Sequence, residues 1–186
     1  MRKLIDAFRP SSIRNSIAYT LVLPGTGRSP KADWRGWADM LLGDKAAAAE
    51  DGRAVLAFVS QQAETKWNRY FLRALTADGR LFVGDKAGAI EAAHAAIAAA
   101  PRSVDALNWA TAASAASVTL AWTDAKDESV ALLEELSTAM PGVAPAAITR
   151  VPNLTVPLAN NPRYQALKAK LEAQMVENAK LLGAAR

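Results

Sequence analysis

Gly84-Asp85-Lys86-Ala87-Gly88-Ala89-Ile90 has a counterpart displaced by 41 residues, Gly43-Asp44-Lys45-Ala46-Ala47-Ala48-Ala49, and a looser one displaced by 40, Asp124-Ala125-Lys126-Asp127-Glu128-Ser129-Val130. Each follows one helix-like stretch and opens another. A unit reused at a fixed period of this size is the mark of a stacked-repeat architecture, in which no unit buries its apolar face alone. The register extends outward, because Pro101 and Pro141 each fall seventeen residues after the start of their segment and would close a second helix. Small residues fall where paired helices must approach: Ala77, Ala89, Ala93 and Ala96 in the middle unit, Gly36 and Ala48 in the first, Ser117 and Ser129 in the third. Leu133 and Leu136 in the third unit predict a looser or differently angled pair there.

Apolar periodicity predicts helices near 11–22, 31–42, 45–59, 64–82, 86–99, 104–122, 127–139 and 162–182, with no convincing strand. Asp78-Gly79 lies inside one of these and is expected to kink or shorten it. The last helix has Asn161 as N-cap and Pro162 at its first position, where a missing N–H costs nothing. Tyr164, Leu167, Leu171, Met175 and Leu182 form its apolar stripe, which suits it to close the stack. The expected fold is thus all-α, an α-α superhelix of about three helical hairpins plus a capping helix over 162–182. Residues 31–186 form that domain, and residues 1–30, outside the repeat, form a lead segment packing on it.

The Gly-Asp-Lys turn followed by Ala-Ile, the ladder of small residues and the closing Pro resemble the tetratricopeptide repeat, here with a longer period than that family's. The run from Ile148 through Pro152, Pro157 and Pro162-Arg163-Tyr164-Gln165-Ala166-Leu167 resembles the closing segment of tetratricopeptide regions in bacterial multidomain regulators, among them protein kinases, adenylate cyclases and winged-helix regulators. Val156 and Ala159 depart from that pattern, which has acidic and basic residues there. The resemblance covers about residues 32–175 and implies a solenoid that binds other proteins.

Composition narrows the function. With 51% hydrophobic and 22% charged residues the chain is built to fold. No cysteine occurs, which excludes disulfides, thiolate nucleophiles and thiolate-bound zinc. A single histidine, His94, leaves no partner imidazole for a metal, and no Gly-x-Ser-x-Gly elbow accompanies it. Glu134 and Glu135 are adjacent on a helix and point apart, and Asp44, Asp85, Asp127 and Glu128 sit where a helix N-terminus favours anions. Pro24-Gly25-Thr26-Gly27 lacks the Gly-Lys-Ser/Thr and the preceding strand of a phosphate loop. No catalysis, metal or cofactor is therefore expected.

Charge is distributed unevenly: residues 1–35 carry seven basic and two acidic side chains, residues 36–162 ten and fourteen, and residues 163–186 five and two. Basic ends on an acidic body do not make the concentrated basic face of a nucleic-acid binder. The start lacks a secretory apolar run and no stretch is long enough to span a bilayer, so the expectation is a cytoplasmic protein without a membrane partner.

What remains is protein or peptide binding, with homodimerisation through basic ends and acidic body as one form of it. Trp37 and Leu41, Asp78 and Phe82, and Val118 and Trp122 occupy equivalent inner places in the three units. With Trp34 and with Arg73, they are the candidate partner-binding groove. The bland fate of these aromatics is to fill the core between long helices. The alternative function is a ligand-sensing helical domain that takes a small molecule between its helices.

Overall fold

The computed structural model describes residues 29–141 and 144–184, with side chains through 180. The expected helix at 11–22 and nearly all of the lead segment lie outside the described residues. Among the described residues the chain is all-helical: α1 (Lys31–Leu42), α2 (Lys45–Ser60), α3 (Arg69–Phe82), α4 (Lys86–Ala98), α5 (Ala106–Ala121), α6 (Lys126–Ala139), α7 (Ala144–Arg150), α8 (Pro152–Thr155) and α9 (Pro162–Ala184). The second helices of the three hairpins begin at Lys45, Lys86 and Lys126, in the register of the repeat. Gly43, Gly84 and Asp124 all lie in the turn that ends a first helix.

The turns show how local chemistry sets the hairpins. Gly43 and Gly84 have φ of 74° and 87°, a left-handed conformation that glycine adopts without a Cβ penalty. Asp44 N–H bonds Asp39 O and Asp85 N–H bonds Arg80 O, each at 2.9 Å, a six-residue closure of the helix C-terminus. The same aspartates cap the next helix, accepting from Ala47 N at 3.0 Å and Gly88 N at 2.9 Å. The third turn has no glycine and uses Thr123 instead: its hydroxyl donates to Leu120 O at 2.8 Å and accepts from Ala125 N at 3.2 Å.

Consecutive helices pack in pairs, and the first helices α1, α3 and α5 also pack on one another in series. Among the described residues the backbones of α2, α4 and α6 do not meet. The exposed pair His94–Glu128 spans that outer layer. An inner layer in contact and an outer layer splayed give the array its superhelical form. The small-residue ladder makes this possible: Ala48, Ala77, Ala89, Ala93 and Ala96 are buried. In the third hairpin, where serines replace alanines, Ser129 Oγ donates to Ser117 O at 2.7 Å across the pair. A cavity of about 40 Å³ lies beside that pair, bounded by Val118, Leu133, Leu136 and Ile148.

Two expectations are corrected. The helix expected from 64 begins at Arg69, because Thr65 and Asn68 hydrogen-bond each other and the local backbone: Thr65 N and Oγ1 donate to Asn68 Oδ1, and Asn68 Nδ2 donates to Ala63 O. Side chains of this type offer the backbone an alternative to helix. Asp78-Gly79 neither kinks nor shortens α3, since Asp78 is buried and Gly79 is the point where α3 crosses α2.

The proline-rich run holds two short helices, α7 and α8, and each of its three regularly spaced prolines leaves a carbonyl four residues back without its helical donor. Tyr164 Oη donates to Ile148 O at 2.7 Å, Trp122 Nε1 to Asn153 O at 2.8 Å, and Asn161 N to Leu158 O at 2.9 Å. These donors clasp the run against the inner face, where α8 packs on both α5 and α1. In α9, Tyr164, Leu167 and Leu171 are buried and Met175 is half-buried. Asn161 Oδ1 caps it by accepting from Tyr164 N at 3.0 Å.

Candidate functional site

The inner face is built from corresponding positions of the first helices. Trp37 and Phe82 meet edge to face, with centroids 5.1 Å apart and an interplanar angle of 86°. Trp122 lies 6.3 Å from Trp37. The register therefore brings three of the candidate aromatics together. It brings them together inside the fold: Trp37, Asp78, Phe82 and Val118 are buried, and α8 lies over their side of the array. Trp122 is half-buried, its indole N–H bonded to Asn153 O as described. Leu41 is half-buried at the end of α1. Trp34 is half-buried against the α1–α2–α3 core of Val55, Tyr70 and Phe71. Arg73 lies apart from the aromatic seam, its guanidinium 3.2 Å from Glu64 and 3.4 Å from Ala95 O.

Sequence reasoning missed a buried carboxyl pair. Asp33 on α1 and Asp78 on α3 face each other within the inner layer. Ser29 Oγ donates to Asp33 at 2.6 Å, Thr119 Oγ1 on α5 donates to Asp78 at 2.7 Å, and the Trp37 side chain also bonds Asp78. Asp33 Oδ1 has no conventional donor. A proton held between the two carboxyls answers this, because burial resists the charged form and two adjacent anions repel. Burial pushes Asp33 from 3.8 up to about 6 against the lowering effect of Ser29 and Asp78. Burial first, and then the charge of Asp33, pushes Asp78 well above its ordinary range. The only available sequence signal was that two aspartates sit at inner-layer positions of a repeat.

This pair predicts an inverted pH dependence. Between pH 3.8 and about 6 this pair binds more protons in the folded chain than in the unfolded one, so its contribution to stability falls as pH rises. The contribution is fully present below the ordinary aspartate pKa and lost as pH climbs through the folded value. Thermal melts from about pH 4 to about pH 8 should show this decline, and Asp78→Asn should flatten it and raise the melting temperature at the alkaline end. An unchanged slope in that variant would remove the pair as its source.

A different kind of arrangement sits at the end of the array where one hairpin leads to the next. Trp67 in the α2–α3 connection is 66% exposed, Val104 in the α4–α5 connection 82%, and Leu107 at the start of α5 60%. Because α3 and α5 run parallel and pack on each other, their beginnings bring these connections to one edge. The edge is held in shape. Trp67 rides on the hydrogen-bonded Thr65–Asn68 turn with Lys66 Nζ 4.7 Å from its ring centre, and Asp105 caps α5 by accepting from Leu107 N and Asn108 N. Arg102 stacks over Trp109 at 4.9 Å and pairs with Glu135 at 3.0 Å. Lys66 precedes Trp67, Arg69 and Arg73 lie in the first turns of α3, and Arg102 lies in the α4–α5 connection, with Glu64 paired to Arg69 and Arg73.

The described residues contain no group of three or more His, Asp or Glu side chains placed to hold a metal ion, and no helix among them is long and apolar enough to cross a membrane. Comparison with family models, characterised proteins and solved structures finds no match to this chain.

Proposed function

We propose that the chain is a non-catalytic protein-interaction module, a tetratricopeptide-like array that docks a partner on the edge formed by its inter-hairpin connections. The observation that carries the reading is the exposure of Trp67, Val104 and Leu107 together at that edge. Large apolar side chains gathered on an ordered surface cost solvation free energy unless something covers them. Holding Trp67 on a hydrogen-bonded turn lowers the ordering cost of binding. The rim of Lys66, Arg69, Arg73 and Arg102 selects a partner whose apolar patch is bordered by acidic residues, and the charges speed encounter. The tetratricopeptide likeness supports the same reading through the Gly-Asp-Lys turns and the closing Pro-Arg-Tyr-Gln-Ala-Leu.

The test compares the wild-type chain with a Trp67→Ser, Val104→Ser, Leu107→Ser triple variant as baits. All three positions are solvent-facing, so the variant should fold. A specific partner should be retained by the wild type, lose roughly thirtyfold in affinity with the variant, and weaken as salt is raised. Equal retention by both baits, or a wild-type bait that retains no partner, would defeat the proposal.

A further inference from the structure

At the opposite end of the array, between the turns of the first two hairpins, lies a groove of about 550 Å³ whose walls include Met40, Leu81, Phe82 and Trp122. Its volume falls in the range of small-ligand sites, roughly 300–1,000 Å³, and such sites pair apolar walls with a few placed polar groups. Here those groups are Lys45 and Lys86, the first residues of α2 and α4, both lining the groove. They are equivalent positions of the repeat, so the groove has one ammonium from each hairpin. Gly43 and Gly84 also line it, and a Cβ built on either would meet nothing within 4 Å, which leaves the mouth open.

The charged side chains that line the groove are both lysines, and the neighbouring acids turn away from it. Asp44 and Asp85 turn their carboxylates onto the backbone N–H groups of Ala47 and Gly88. Asp85 also lies 3.8 Å from Arg80. Lys86 contacts Asp124 at 3.1 Å, but that aspartate is 89% exposed, so water screens the pair and an incoming anion can compete for the ammonium. Lys45 has no ion pair among the described residues. Trp122 has its N–H committed to Asn153 O and offers the groove only ring surface.

We propose that this groove binds an amphipathic small-molecule monoanion, its carboxylate between Lys45 and Lys86 and its alkyl or aromatic body against Phe82 and Trp122. An uncharged apolar molecule leaves two ammoniums unsatisfied at the mouth, and a cationic one is repelled. The site uses no residue of the protein-docking edge and stands independently of it.

The test uses the full 186-residue chain, with 1-anilinonaphthalene-8-sulfonate as a fluorescent amphipathic anion and decanoate as competitor. The dye should bind with enhanced fluorescence, and decanoate should displace it while decanol at the same concentration does not. A Lys45→Gln, Lys86→Gln double variant changes only exposed side chains and should melt as the wild type does. It should bind decanoate at least about tenfold more weakly. Ala49→Phe, which places a ring in the groove, should abolish dye binding, whereas the Trp67, Val104, Leu107 triple variant should leave it unchanged. Equal displacement by decanol, undiminished decanoate binding in the double variant, or displacement by polyglutamate but not by decanoate would overturn the assignment.

Discussion

Gly79→Val should lower the melting temperature by on the order of 10 °C, more than any exposed substitution on the same helix. At this position α3 crosses α2 with almost no space between them. A Cβ at Gly79 would lie 2.9 Å from Leu56 Cγ and 3.2 Å from Gly52 O, and one at Gly52 would lie 2.8 Å from Gly79 O. Backbone atoms cannot rotate aside as a side chain can, so relief requires the two helices to separate. Separation would disturb the packing between the first and second hairpins and with it the inner layer that carries Asp33 and Asp78. Overpacking of a tight core costs about 1–3 kcal/mol and more where backbone must move, so about 3 kcal/mol or more is expected. Ala57→Val on the exposed side of α2 is the control and should shift the melt little. Comparable melts for the two variants would show that the crossing is not tight in solution.

Tyr164→Ala should be comparably damaging, at about 3–5 kcal/mol, while Tyr164→Phe should cost only about 1–3 kcal/mol. Tyr164 is fully buried, and its ring fills the space between α9 and the rest of the core. The hydroxyl has a separate task. Pro152 has no N–H to give Ile148 O, and Tyr164 Oη supplies the missing donor at 2.7 Å. Burial pushes the phenol up to about 12, so it remains a donor across the working pH range. The Phe variant keeps the ring and leaves one buried carbonyl unsatisfied; the Ala variant loses both. Chemical denaturation of the two variants separates the contributions. Equal losses would mean that the hydroxyl, rather than ring packing, anchors the capping helix.

The proteins that result from these two substitutions would fail in different places. The glycine crossing joins the first two hairpins, whereas Tyr164 fastens the closing segment over the third. Both lie far from Trp67 and its neighbours, so partial retention of partner binding by a folded Gly79 variant would fit an edge site better than an inner groove.

Much of this architecture was legible in the amino-acid order because its determinants are local. The left-handed turns need glycine, the helix starts need a capping aspartate, and close pairs need alanine or serine, so a repeat of 40–41 residues revealed three hairpins and the equivalence of Leu41, Phe82 and Trp122. Asn161 and Pro162 announced the final helix for the same reason. The start of α3 was misjudged because Thr65 and Asn68 satisfy each other and the backbone outside the helix, a competition that apolar periodicity does not register.

Tertiary structure alone decided what faces the inner layer. The chain folds its proline-rich segment back so that α8 reaches α1, more than a hundred residues earlier, and that contact turns an expected open groove into core. It also placed Asp33 beside Asp78, two acids whose shared burial no spacing rule encodes. The physical reason is the same in both cases. Turns and caps are satisfied by neighbours in sequence, whereas the burial of a side chain depends on which distant segment arrives to exclude water from it.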